Sequence, residues 1–326
     1  MPVGLSYAGT YPLEEFLEVA KAGEEIGLDS IWLAEEIEYR DPMITAASVL
    51  RVTESVRVIP GPVSPYLKHP VAIAREALTL AEIANGRLGL QLGVGDLGGL
   101  KQLGVDVSRP LSTVEQALHT VRALCRGEAV SSGEIGMKLG GITTIPLYLA
   151  AMGPRMMSLA RKCADGTALS HMMSVAYIRN RIEAVQAEAA PQAAPDHQFV
   201  EFFAVSVADS RQAAYERIRP SVARWLGVPY PQPVHKADWD LCGLDIDYWA
   251  IYEALQHHDI EAACALVSDE AIATLAICGT PEDFENRIGE YLDAGVTYPI
   301  IGPVGDPETI INTMQLAVEI LGARQE

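Results

Sequence analysis

Short apolar runs of strand type alternate with amphipathic stretches of helical period from the first residues onward. Val3–Tyr7, Ser30–Leu33, Val56–Ile59 and Leu88–Leu92 read as strands. Between them, Leu13–Ile26 carries Leu13, Phe16, Leu17, Ala20 and Ile26 at helical spacing and stops at Gly27. Asp41–Leu50 has Pro42 in its first turn, where a helix tolerates it, and Val71–Ala84 is closed by Asn85-Gly86. Ser112–Leu124 follows, with Ser112 as the expected N-cap and Glu115 three residues on, a capping-box pattern. The second half repeats the rhythm. Pro146–Ala150, Thr167–Leu169, Phe199–Val207 and Thr297–Ile301 read as strands; Pro154–Ala164, Ser174–Ala189, a stretch starting at Arg211–Ile218, and Pro307–Leu321 read as helices. About eight strand–helix units in series predict an α/β fold with a parallel sheet, a (β/α)8 TIM barrel.

Two segments interrupt the alternation. Residues 189–196 (AAPQAAPD) form a Pro/Ala-rich connection. Residues 219–276 are too long for one crossover; after Pro229, Pro231 and Pro233 they turn helical near Tyr248–Gln256 and Ile260–Leu266. This stretch is expected to be a helical insertion over the barrel mouth, within a single domain spanning 1–326.

Composition narrows the function classes. The 326 residues carry a net charge of −19, which disfavours nucleic acid and anionic membrane as partners. No apolar run reaches the roughly 18 residues of a membrane span, and Met1–Tyr7 does not read as a signal peptide. Cys125, Cys163, Cys242, Cys264 and Cys278 are far apart, without a C-x-x-C pair, so reduced cytoplasmic thiols are expected and no metal site is. His257 and His258 are adjacent, the wrong spacing for two ligands on one helix face. Lys68 and His69 read as loop surface.

The candidate chemistry lies after the strands. Gly93-Val94-Gly95-Asp96-Leu97-Gly98 matches G-x-G-x-x-G. A dinucleotide fold would want that motif in the first βα turn, opening a helix and followed by an acid some 20 positions on. Here three strand–helix units precede it, and a loop to Pro110 is expected to follow. In a barrel the same glycines let a flat ring approach the backbone, and Asp96 either projects into the mouth or is a solvated residue of a tight turn. Strand ends at Ala34-Glu35-Glu36, at 60–65 (PGPVSP) and at Ala150-Ala151-Met152-Gly153-Pro154 surround the same mouth. The last opens a helix with proline in its first turn, leaving backbone N–H groups for an anion. Glu36 is either a buried proton donor or the surface partner of Arg40. His171 is either a substrate-side group or an ordinary loop histidine.

Residues 59–96, 109–128, 145–166 and 267–303 together resemble the bacterial luciferase-like superfamily, and more closely its branch containing coenzyme F420-dependent methylenetetrahydromethanopterin reductase. The resemblance covers nearly the whole chain. It implies a barrel with a deazaflavin, coenzyme F420, across the strand ends; FMN is the alternative cofactor. Carried over position by position, Gly61, Pro62, Val63 and Ser64 would back the ring, with the relatives' cis peptide falling at Gly61–Pro62. Gly93, Val94 and Gly95 would line the cofactor, and Ala150, Ala151, Met152, Gly153 and Pro154 would take its tail and phosphate. Glu35 matches a cofactor-contacting acid. Asp96 matches a proposed proton donor, one methylene shorter than the usual Glu.

Three departures put the pterin substrate in question: Glu36 where relatives often carry a histidine, Ser6 where some reductases carry an acid, and the shortened Asp96. Adjacent Glu35 and Glu36 would repel an anionic cofactor unless one is protonated or turned away. The expectation is hydride transfer between reduced deazaflavin and a small-molecule substrate with a C=N, C=C or carbonyl group, with Asp96 and Glu36 as catalytic candidates. The rivals are an FMN-dependent monooxygenase and a non-catalytic flavin-binding protein of the same fold. Family members often form homodimers.

Overall fold

In the computed structural model, residues 1–7, 11–131, 136–188, 196–228 and 231–324 are described; most of the Pro/Ala-rich connection, and Pro229, lie outside them. The first half contains β1 (Gly4–Tyr7), α1 (Leu13–Ile26), β2 (Ser30–Leu33), α2 (Pro42–Val52), β3 (Arg57–Pro60), α3 (Pro70–Ala84), β4 (Leu90–Leu92), α4 (Leu97–Gln102) and α5 (Pro110–Cys125). A small antiparallel pair follows, β5 (Val130–Ser131) with β6 (Gly136–Met137). The barrel resumes with β7 (Leu147–Ala150), α6 (Pro154–Cys163), β8 (Gly166–His171), α7 (Val175–Ala187), β9 (Gln198–Val207) and α8 (Arg211–Leu226). Four helices intervene: α9 (Pro233–Cys242), α10 (Tyr248–Gln256), α11 (Ile260–Ala265) and α12 (Asp269–Leu275). The chain ends with β10 (Ile277–Gly279), α13 (Pro281–Asp293), β11 (Tyr298–Pro303) and α14 (Pro307–Ala323).

The parallel strands run in the order β3-β2-β1-β11-β9-β8-β7-β4. Isolated parallel bridges Val58–Leu88 and Val63–Leu92 bring β3 to β4 and close the cylinder. The fold is the expected (β/α)8 barrel. The short β10 was not expected; β9 overruns β8, and β10 takes up its free edge at Val205–Val207.

Burial follows the strand period. Trp32, Ile59, Tyr148, Ala168, Val200, Tyr298 and Ile300 fill the barrel interior, while the larger apolar cluster lies between strands and helices. Trp32 is the keystone of the interior: its ring meets Tyr148, Phe202 and Tyr298 edge-on at centroid distances of 4.8, 5.4 and 5.8 Å. Its Nε1 donates to Ser30 Oγ at 2.8 Å, so burial leaves no orphaned donor there. With the lower barrel filled, the mouth is a closed-bottomed basin.

Two helix starts differ from expectation. α5 begins at Pro110, not at Ser112; Arg109 takes a left-handed φ of 51°, and the Ser112 hydroxyl donates to the Arg109 carbonyl at 3.1 Å. The fixed φ of Pro110 sets the first turn in place of a side-chain cap. α3 begins at Pro70 and not at Val71, and His69, exposed as expected, caps it: its Nδ1 accepts from the Val71 N–H. Lys68 forms ion pairs with Asp41 at 2.8 Å and Glu76 at 3.1 Å.

The insertion packs a second apolar cluster of its own, in which Trp239, Ile251, Ile272 and Leu275 meet Ile218, Val222 and Leu226 of α8. Two buried acids lie where it joins the barrel. Glu201 of β9 is fully buried, as is Asp238 of α9. Asp238 accepts hydrogen bonds from both the hydroxyl and the backbone N–H of Ser174. Neither Glu201 oxygen has a well-formed partner. Burial, reinforced by the charge of Asp238 and offset in part by the Met173 backbone, holds the Glu201 carboxyl well above its ordinary range. A group whose folded pKa is raised favours folding fully below its unfolded pKa and loses that contribution as pH rises through the folded value. Glu201→Gln, which keeps the shape without an ionisable proton, is therefore expected to raise stability at pH 8 by about 1–3 kcal/mol. The gain should shrink toward pH 4. Denaturant titrations of both proteins at the two pH values check this; a pH-independent difference would contradict it.

Candidate active site

The C-terminal ends of the strands surround a cavity of about 550 Å³. Trp32 and Phe202 form its floor, and Trp225, Gln232 and Val234, from the end of α8 and the start of the insertion, stand at its rim. These rim residues lie far along the chain from the strand-end loops and were not anticipated beyond the insertion's general placement.

One wall is the bulge after β3. Gly61 and Pro62 line the cavity, and the bond between them is cis. Gly61 has φ +137°, and a Cβ there would lie 2.2 Å from the Gln91 carbonyl oxygen. Only glycine fits this backbone. Val63 and Ser64 do not line the cavity. The Val63 N–H donates to the Gln91 carbonyl at 2.8 Å, and the Ser64 hydroxyl to the Val94 carbonyl at 2.6 Å, tying the bulge to the glycine loop.

Glu35 and Glu36 point to different places. The Glu35 carboxylate accepts the Ser64 N–H at 2.7 Å, behind the bulge. Burial is the main influence on it and lifts its pKa to about 7, against the lowering effects of that hydrogen bond and of Lys68. Glu36 lines the cavity. Its carboxyl is also raised, first by burial and then by the charges of Asp96 and Glu38. Turning Glu35 away and favouring the neutral form of both relieves the repulsion that adjacent carboxylates would exert on an anionic ligand. Arg40 donates to the Tyr11 carbonyl at 2.6 Å.

The glycine loop after β4 leads into α4, a helix that the run Leu97-Gly98-Gly99 had disguised as loop. Asp96 is its N-cap: the carboxylate accepts from the N–H groups of Gly98 and Gly99, both at 2.9 Å. It does not line the cavity, although its charge reaches Glu36. Val94 and Gly95 do line it, while Gly93 sits behind them between Pro62 and Ala150.

Across the basin, Ala150, Ala151, Met152 and Gly153 line the cavity, and Pro154 begins α6 beside it. Gly153 is the N-cap and has no side chain to satisfy the helix's first N–H groups, so the positive end of α6 stays open toward an anion. On β8, Ser170 and His171 also face in, and Ser6 and Gln91 contribute from β1 and β4. The His171 imidazole is held to about 4, chiefly by burial, so it is neutral at physiological pH. Of these, Ser170 and Gln91 carry no signal in the sequence beyond their position at a strand end.

A closed parallel barrel whose strand-end loops form an apolar basin, with one half-buried carboxyl and one open helix terminus, defines a TIM-barrel protein with its concave site at the strand ends. The chain belongs to the luciferase-like monooxygenase family, whose sequence profile matches residues 2–298. It is 28% identical to 5,10-methylenetetrahydromethanopterin reductase of Methanolobus tindarius over 316 residues, covering 94% of this chain and 95% of that one. The fold is similar to the coenzyme F420-dependent tetrahydromethanopterin reductase of Methanopyrus kandleri, with a TM-score of 0.84 at 19% identity over 96% of this chain and 97% of that one. It is also similar to the monooxygenase RslO1 of Streptomyces bottropensis, with a TM-score of 0.75 at 18% identity and full coverage of both chains.

Proposed function

We propose that this protein is an oxidoreductase that uses coenzyme F420 and moves a hydride between the reduced deazaflavin and an organic substrate with a C=N, C=C or carbonyl group. The observation that carries the reading is the pairing, in one basin, of a glycine-lined wall at Gly61 and Gly95 with the raised carboxyl of Glu36. A flat ring needs the first; a reaction that moves a proton along with a hydride needs the second. The near full-length likeness to a methylenetetrahydromethanopterin reductase supports the deazaflavin over FMN.

The residues present fit such a cofactor. The close approach of Gly61 to β4 leaves a smooth backbone wall, and the open terminus of α6 at Gly153 suits a phosphate. When bound, the deazaflavin supplies or accepts the hydride. The protein's own share is orientation and proton handling. Trp32 and Phe202 set the depth of the site, the bulge at Gly61–Pro62 backs the ring, and the rim residues Trp225 and Val234 exclude water. Glu36, whose carboxyl is shifted toward its neutral form by burial and by the charge of Asp96, holds the proton that the reduced substrate takes up at oxygen, nitrogen or carbon, and recovers it in the reverse direction. Asp96 then acts on the reaction through Glu36, as a fixed negative charge, because its own carboxylate is engaged at the α4 cap.

The competing reading is an FMN-dependent monooxygenase, favoured by the likeness to RslO1. Equilibrium binding separates the two. The purified chain is expected to bind F420 more tightly than FMN; tighter binding of FMN would overturn the proposal. A chain that binds F420 but turns over no substrate of the three classes would be a binding protein.

A further inference from the structure

The face where α5 packs against α6 brings together three ligand types that their sequence spacing does not suggest. Glu115 and His119 are one turn apart on α5 and share a face. Cys163 is the last residue of α6. One ligand atom from each, a carboxylate oxygen, an imidazole nitrogen and the thiol sulfur, lies within 4.8 Å of the others, and Cys163 Sγ stands 3.8 Å from His119 Nε2. Around a tetrahedral zinc ion, sulfur and nitrogen ligands at about 2.3 and 2.1 Å would be roughly 3.6 Å apart. The His–Cys edge is close to that length, and the Glu115 carboxylate lies within 4.8 Å of both.

The end of α6 is held in place for this. The Arg122 guanidinium of α5 donates to the Cys163 carbonyl at 3.1 Å and pairs with Asp165 at 3.0 Å. Arg122 is thereby engaged with a carboxylate, and the end of α6 is tied to α5.

We propose that Glu115, His119 and Cys163 form a binding site for a divalent zinc ion on the outer wall of the barrel, with its fourth position open to water. A thiolate, an imidazole and a carboxylate together suit a borderline ion such as zinc and not magnesium or calcium. Binding converts the Cys163 thiol to a thiolate and releases its proton to solvent. The ion ties α5 to α6, the helix whose other end begins at the Ala150–Gly153 wall of the cavity. It is a structural tether outside the basin and does not depend on which cofactor the basin holds.

The test uses the full chain, stripped with a chelator and titrated with zinc, and separately with cobalt as a spectroscopic stand-in. The expected result is one ion per chain, a rise in thermal midpoint, and a thiolate-to-cobalt charge-transfer band. Cys163→Ser should abolish the band, His119→Ala should weaken binding roughly ten-fold or more, and Cys264→Ser should change neither. Circular dichroism confirms that each variant is folded. Failure to bind either ion stoichiometrically, or a band that survives in Cys163→Ser, would overturn the proposal.

Discussion

Glu36→Gln is expected to lower turnover by roughly 10²–10⁴-fold while leaving cofactor affinity unchanged or improved. The amide preserves the volume at the cavity wall and removes both the transferable proton and the negative charge. Because burial and Asp96 raise the Glu36 pKa, the wild-type rate in the reductive direction should fall as pH climbs through that raised value, and the Gln variant should lose this limb. Asp96→Asn makes the informative partner. Asparagine caps a helix nearly as well as aspartate, so α4 should persist, and turnover should survive. With the neighbouring charge gone, the alkaline limb should move to lower pH. Were Asp96→Asn to abolish turnover while Glu36→Gln left it intact, the proton would belong to Asp96, and the assignment made from the cavity would be wrong.

Gly61→Ala is expected to cost about 2–5 kcal/mol of stability, the sum of a non-glycine residue at positive φ and an overpacked contact. The added methyl would meet the Gln91 carbonyl, and relief requires the bulge to move away from β4. That movement would break the Val63–Gln91 hydrogen bond that closes the barrel and displace the wall proposed to back the ring. Loss of cofactor binding should therefore accompany the drop in the denaturation midpoint. Pro62→Ala, on the same wall but without the steric conflict, should be milder on both counts. A folded Gly61→Ala protein with normal cofactor affinity would show that the wall plays no part in binding.

Much of the barrel is legible in the chain because its strands and helices carry uninterrupted periods and firm stops. The helix Leu13–Ile26 ends at Gly27, which takes a left-handed φ of 94°, and Ser30–Leu33 is buried throughout. The elements that escape are short or disguised. α4 hides behind Gly98-Gly99, and its start is signalled by Asp96, a residue equally at home in a turn. β10 has three residues and forms only because β9 runs past its neighbour. α9 begins amid prolines, and its tie to the barrel runs from Asp238 to Ser174, which meet only in three dimensions. The site divides in the same way. That loops after strands gather at one mouth follows from alternation alone. Which of two adjacent carboxylates faces the mouth does not, because Glu35 and Glu36 differ in the backbone path after Leu33 and in the partner that Ser64 offers. Trp225, Gln232 and Val234 reach the rim through the packing of a long insertion, and Cys163 meets His119 across two helices; no local pattern encodes either encounter.

The most direct measurement of the central claim is the oxidation of reduced F420 by the purified protein, followed at the cofactor's absorbance. It is run with imine, enone and ketone substrates, with and without oxygen. Oxidation that requires one of these substrates, proceeds without oxygen and yields the reduced product is the result predicted for a deazaflavin hydride-transfer site. No turnover with reduced F420, together with substrate-dependent oxygen consumption by the FMN-loaded protein, would contradict it.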